Sequence, residues 1–173
     1  MPTGNSDLAE SGLDEYPKST IILGNLVMVL WIALGAIACW FFYPLAAWIY
    51  LPFALLMVFV VLRKLVCTNC YYYGKWCGTE WGKLAALFFK RGNIENFSKS
   101  IGIKLAPLTY GLLSLIPLVL GVIAIIHEFT IPKVTVLVLL FLVSFYSGAV
   151  SRGKACRNCK MRTICPGAPK NAR

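Results

Sequence analysis

Residues 24–62 read GNLVMVLWIALGAIACWFFYPLAAWIYLPFALLMVFVVL, a run of 39 positions without one charged side chain. A helix crosses a ~30 Å hydrocarbon core in about 20 residues. The run is therefore long enough to cross twice. Pro44 falls inside it, and a ring that fixes φ and lacks an N–H opens a helix far better than it continues one. The stretch predicts a transmembrane hairpin over 20–63, with its first helix ending near Phe42 and its second near Leu62. Trp40, Tyr43, Trp48 and Tyr50 cluster around the turn, as amphipathic rings do at a lipid–water boundary. Gly24, Gly35 and Ala36 are small enough to let helices approach closely, and Asn25 reads as an interhelical hydrogen-bond former.

The same plan follows a second time. Leu105–Ile126 and Val134–Val150 are also free of charge, and Pro132 turns the chain between them 88 positions after Pro44. A second hairpin is predicted over 103–150, with kinks at Pro107 and Pro117, and with Ser144, Tyr146 and Ser147 facing other helices. The chain as a whole is 58% hydrophobic and 14% charged, far from a soluble composition. The expected fold is an all-α membrane protein of four transmembrane helices, arranged as two tandem hairpins. Both hairpins would enter the bilayer in one direction, so a pseudo-twofold axis would run along the membrane normal. The spans hold no carboxylate or strong base, which argues against an ion pathway.

Sixteen of the 17 Lys and Arg lie in the N-terminal tail, in the 63–104 region or after Val150, and only Lys133 lies at the other end. By the positive-inside bias both termini are expected in the cytoplasm of a multi-pass protein of the cell (plasma or inner) membrane. The net charge of +10 is spread over membrane-proximal segments, so the expected partners are anionic headgroups and a cytoplasmic protein rather than nucleic acid. Residues 1–19, with Asp7, Glu10, Asp14 and Glu15, read as a disordered acidic tail. An acidic start is unlike a secretory signal, and the first span is expected to stay as an anchor.

Two cysteine clusters follow the hairpins, one in the loop 64–102 and one in the basic tail 151–173. The first is Cys67, Cys70 and Cys77, and the second is Cys156, Cys159 and Cys165. Each is a C-x2-C pair with a third thiol downstream. The first two members repeat at 89 positions and the third at 88. Cytosolic thiols stay reduced, so closely spaced sets point to metal binding or catalysis rather than disulfides. Cys39, within the first span, reads as a small apolar core residue.

Two thiolates separated by two residues reach one ion, and sulfur donors select zinc or the iron of an iron–sulfur cluster. Three ligands do not complete a tetrahedron. If the two clusters meet, however, six thiolates close two zinc sites by sharing bridging sulfurs, and Arg63, Lys64, Lys75, Lys154, Arg157, Lys160 and Arg162 are placed to offset the remaining negative charge. The order C-x2-C-x6-C then C-x2-C-x5-C resembles, in ligand spacing alone, the fungal binuclear zinc-cluster domains. The run from Cys156 to Cys165, followed by Pro166-Gly167, resembles the auxiliary-cluster segment of radical-enzyme accessory domains, which implies an iron–sulfur alternative and an electron-transfer role. A thiol–disulfide oxidoreductase is the second alternative; the third thiol in each set favours coordination over it. Zinc, holding the hairpins together and supporting a partner-docking face, is the favoured expectation.

Other chemistry is sparse. Trp81, Leu84, Ala85 and Phe88 fall on one stripe of a predicted amphipathic helix over 80–91, suited to the membrane surface. Tyr71, Tyr72, Tyr73 and Trp76 are expected to pack over the cluster or anchor at the interface. His127 and Glu128 mark a wet helix end opposite the cysteines, while Glu80 and Glu95 lie on the cysteine side without a carboxylate partner at short spacing. No phosphate-cradling loop or nucleophile–base pair is present, and no reaction is indicated.

Overall fold

Residues 11–78 and 82–168 are described by a computed structural model, in which the secondary structure is helical. Helices α1 (Lys18–Phe42), α2 (Pro44–Asn69), α4 (Ile101–His127) and α5 (Ile131–Arg157) are each long and apolar enough to cross a membrane. A fifth, α3 (Gly82–Phe88), is short. Tyr43 and Thr130 are extended residues between paired helices, and the following Pro44 and Pro132 occupy the first helical turn, where a missing N–H costs nothing.

Two of the spans outrun their apolar stretches. Helix α2 continues past Leu62 to Asn69, and α5 past Val150 to Arg157. The end of an apolar run marks where lipid stops, not where i→i−4 bonding stops, so the helices carry Cys67 and Cys156 outward on their own ends. Each also contains one turn of wider π geometry, Leu56–Val61 in α2 and Tyr146–Ser151 in α5. Such turns realign every side chain beyond them.

Helix α1 touches α2, α4 and α5, and the core forms around it. Trp31, Ile32, Leu34, Ala38 and Cys39 of α1 pack with Ala47, Tyr50, Ala54 and Val58 of α2, Leu113 of α4 and Leu140 of α5. Gly35 is required here: a Cβ would collide with the Tyr50 ring. Trp31 Nε1 donates to Ser144 Oγ at 3.0 Å, joining α1 to α5. Large apolar side chains face outward along all four spans, among them Leu26, Trp48, Leu108 and Phe145, as expected where the surrounding solvent is hydrocarbon.

Several local expectations differ from the structure. Asn25 Nδ2 makes one of its contacts within its own helix, donating to Ile21 O one turn back. Tyr146 is exposed on α5 rather than turned toward a neighbouring helix. Residues 79–81, including Glu80 and Trp81, lie outside the described residues. Of the remaining stripe Ala85 is buried, whereas Leu84 and Phe88 are exposed, as is Leu87 beside them. At the end opposite the cysteine clusters, Lys133 Nζ reaches the Glu128 carboxylate at 3.0 Å and the carbonyls of Glu128 and Ala124 at 3.1 and 3.4 Å. The cation thereby caps the negative end of α4.

Candidate metal centre

The two C-x2-C pairs share one local construction. Cys70 N–H donates to Cys67 O at 3.3 Å, and Cys159 N–H donates to Cys156 O at 3.2 Å. The second cysteine of each pair then turns extended, at φ −91°, ψ 150° for Cys70 and φ −88°, ψ 129° for Cys159. From there the chain turns back, with Tyr73 N–H on Cys70 O at 3.1 Å and Arg162 N–H on Cys159 O at 3.2 Å. The turn aims a backbone N–H at sulfur in both copies: Tyr72 N–H donates to the Cys70 thiol, and Met161 N–H to the Cys159 thiol.

A guanidinium completes each copy. Arg63 and Arg152 stand one helical turn before Cys67 and Cys156, and each donates to the sulfur of its cysteine. Arg63 is buried and also approaches Met28 Sδ at 3.8 Å. Arg152 Nη2 donates to Gly167 O at 3.2 Å, which ties the helix end to the segment carrying Cys165. Arg63 is among the charge-offsetting residues expected from sequence, and Arg152 is not. The signal was available, since Arg63 and Arg152 are themselves 89 positions apart.

The segments meet in one cluster. Tyr16, Ile21, Tyr72, Cys77, Phe97 and Met161 form its buried centre, with Cys70, Cys159 and Cys165 packed against it. Cys159 lies close enough to Cys70 and Cys77 of the first set to feel their charge, as it does Cys156 and Cys165 of its own. Burial pushes the Cys159 thiol up to about 11 and the Cys70 thiol well above its ordinary 9.0. Neutral thiols are thus the favoured form until a cation replaces the protons.

Residues 11–16, assigned by sequence to a disordered tail, lie across both cysteine segments, and residues 1–10 lie outside the described part. Leu13 N–H donates to Asn158 O at 2.9 Å, and Tyr72 Oη donates to Leu13 O at 2.6 Å while accepting from Lys160 N at 3.1 Å. Tyr16 N–H donates to Trp76 O at 3.1 Å, and its hydroxyl donates to Ala155 O at 2.7 Å. Asp14 pairs with Lys160 and accepts from Tyr71 Oη at 2.9 Å. A short acidic segment finds order here because the basic cysteine segments supply counter-charges and unpaired backbone groups. Gly78 leaves the space that the Tyr16 ring fills.

All seven cysteines are free thiols. Among the described residues, no three Cys, His, Asp or Glu side chains converge in ligand geometry. What the two copies share is their donor chemistry: thiols held at fixed backbone turns, with N–H groups and a guanidinium beside the sulfurs. Comparison with protein families, curated proteins and solved structures returns no match.

Proposed function

We propose that this chain is a four-pass protein of the cell membrane in which Cys67, Cys70, Cys77, Cys156, Cys159 and Cys165 bind zinc on the cytoplasmic side, fastening two tandem hairpins and supporting a basic face for a protein partner. One observation carries the reading. Helix end, arginine, C-x2-C turn and N–H on the second sulfur recur in the same order after each hairpin. A pair of uncoordinated core cysteines needs no such repetition.

Bound zinc would hold all six sulfurs as thiolates, with Arg63 and Arg152 offsetting charge at the first cysteine of each pair. Metal affinity then contributes directly to the stability of the folded state. The raised thiols weigh against the oxidoreductase alternative, since thiolate is the nucleophile in disulfide exchange.

Full-length protein purified without oxygen tests the reading by elemental analysis and an absorption spectrum. The expected result is about two zinc ions per chain and no visible band, six thiolates being the number that closes two tetrahedra by sharing. Iron with a visible band that bleaches on reduction would replace zinc by the iron–sulfur alternative. Metal-free protein, or Cys70→Ser and Cys159→Ser variants that retain full metal content, would overturn the metal reading.

A further inference from the structure

Two hollows meet at Phe88 and Phe89, which line both. The first, of about 440 Å³, opens between Lys64 on α2 and Lys90 beyond α3, with Asn69 and Ser100 also on its wall. The second, of about 430 Å³, runs between Phe59 and Val60 of α2 and Leu84 and Ala85 of α3, a mostly apolar wall that also includes the buried Arg63 at the end nearer the first hollow's Lys64. Their order follows the expected polarity of a leaflet. Phe59 and Val60 belong to the charge-free run, and Lys64 lies just beyond its end. The apolar hollow is therefore at acyl-chain depth and the basic one at headgroup depth.

Charge points the same way. Lys64 and Lys90 are both exposed, and among the described residues neither pairs with a carboxylate. The hydroxyls nearby are already committed, Ser100 Oγ to Leu65 O at 2.7 Å and Thr68 Oγ1 to Lys64 O at 2.6 Å. Besides the Asn69 amide, the polar groups left on this wall are two ammonium groups, and they call for an anion. The occupant must also cover Leu84 and Phe88, which no part of the described chain encloses.

We propose that these joined hollows bind one anionic glycerophospholipid of the surrounding leaflet, its phosphate between Lys64 and Lys90 and one acyl chain along Phe59, Val60 and Leu84. This goes beyond diffuse attraction of basic loops to headgroups, because it assigns selectivity to two lysines out of many. It uses none of the cysteines, and although Lys64 is also among the cations expected to offset the charge of the cysteine cluster, Lys90 is not, so the Lys90 variant tests the lipid site apart from the metal reading.

Native mass spectrometry of delipidated full-length protein, titrated with phosphatidylglycerol and with phosphatidylcholine of the same chains, tests it. Phosphatidylglycerol is expected to bind more tightly, and Lys64→Gln and Lys90→Gln should each weaken it about fivefold while leaving phosphatidylcholine unchanged. Lys99→Gln, in the same loop but outside the hollow, should have no effect. Leu84→Asn should weaken both lipids. Equal affinity for the two lipids, or a loss at Lys99→Gln as large as at Lys90→Gln, would overturn the proposal. So would displacement of phosphatidylglycerol by equimolar glycerol phosphate, which has the anion without the chain. Lys90→Gln alone lies on an exposed loop, so the test survives if the α2 variant fails to fold.

Discussion

The Tyr50 hydroxyl donates to the Leu113 carbonyl at 2.9 Å, joining α2 to α4 in the middle of the core. Leu113 lies four residues before Pro117, and the proline has no N–H with which to take that carbonyl. Tyr50 therefore supplies, from another helix, the donor that the sequence of α4 withholds. In hydrocarbon no water can do so.

This relationship predicts a coupling. Tyr50→Phe strands a buried carbonyl and should destabilise the bundle by about 1–3 kcal/mol. In a Pro117→Ala background the restored N–H takes the carbonyl, so the same change should cost much less. Reversible unfolding in bicelles across the four variants measures the difference. Additive effects would show that the Tyr50 contact contributes nothing specific.

Gly35→Leu should be more damaging than either change, because its side chain would enter the Tyr50 ring and force α1 from α2. Overpacking of this kind costs typically 1–3 kcal/mol and occasionally more. The readout is the unfolding midpoint under the same conditions. Gly111→Leu, where a Cβ meets nothing, is the matched control.

Thiol reactivity should follow burial. In metal-free protein the Cys159 thiol, held near 11, presents about a hundredfold less thiolate at neutral pH than one at its ordinary 9.0. Site-resolved alkylation should therefore be slow at pH 7.5 and accelerate steeply as pH approaches 11. The sign for stability follows from proton counting. Folded protein keeps this proton where the unfolded chain has lost it, so stability is unaffected below about pH 9 and falls as pH rises through the window up to about 11. Fast alkylation of Cys159 at neutral pH would contradict the burial described here.

The four spans were legible because hydrocarbon imposes a coarse rule, roughly 20 apolar residues per crossing, and the turn prolines mark the divisions. Their true ends were not, since Arg63, Lys64 and Arg152 end an apolar run without ending a helix. The cysteine trios were legible from spacing. What escaped was whatever depended on contact between distant segments: the tie from Arg152 to Gly167, the burial of Tyr72 and the course of residues 11–16. Composition alone made that segment a tail. Only the juxtaposed Asn158, Trp76 and Ala155 carbonyls turn it into an ordered strap.

The strap should respond to pH at both extremes. Contact with Lys160 and Tyr71 holds the Asp14 carboxyl below its ordinary 3.8, and contact with Asp14 holds the Lys160 ammonium above its ordinary 10.5. A depressed carboxyl contributes stability above its unfolded value and loses it as pH falls through the folded one. A raised ammonium contributes fully below its unfolded value and loses it as pH rises through the folded one. Strap docking should therefore be constant between roughly pH 5 and pH 9 and weaken outside that window, by linkage at both ends. Hydrogen exchange at the Leu13 and Tyr16 amides, expressed as protection factors, measures docking directly. The Asp14 carboxylate is solvent-exposed, so Asp14→Asn should reduce protection only modestly at neutral pH and remove its acid sensitivity. Tyr16→Ala, which empties the buried ring site and frees the Ala155 carbonyl, should abolish protection of Leu13 at every pH; a Tyr16→Ala variant with Leu13 still protected would show that the strap is held without its ring.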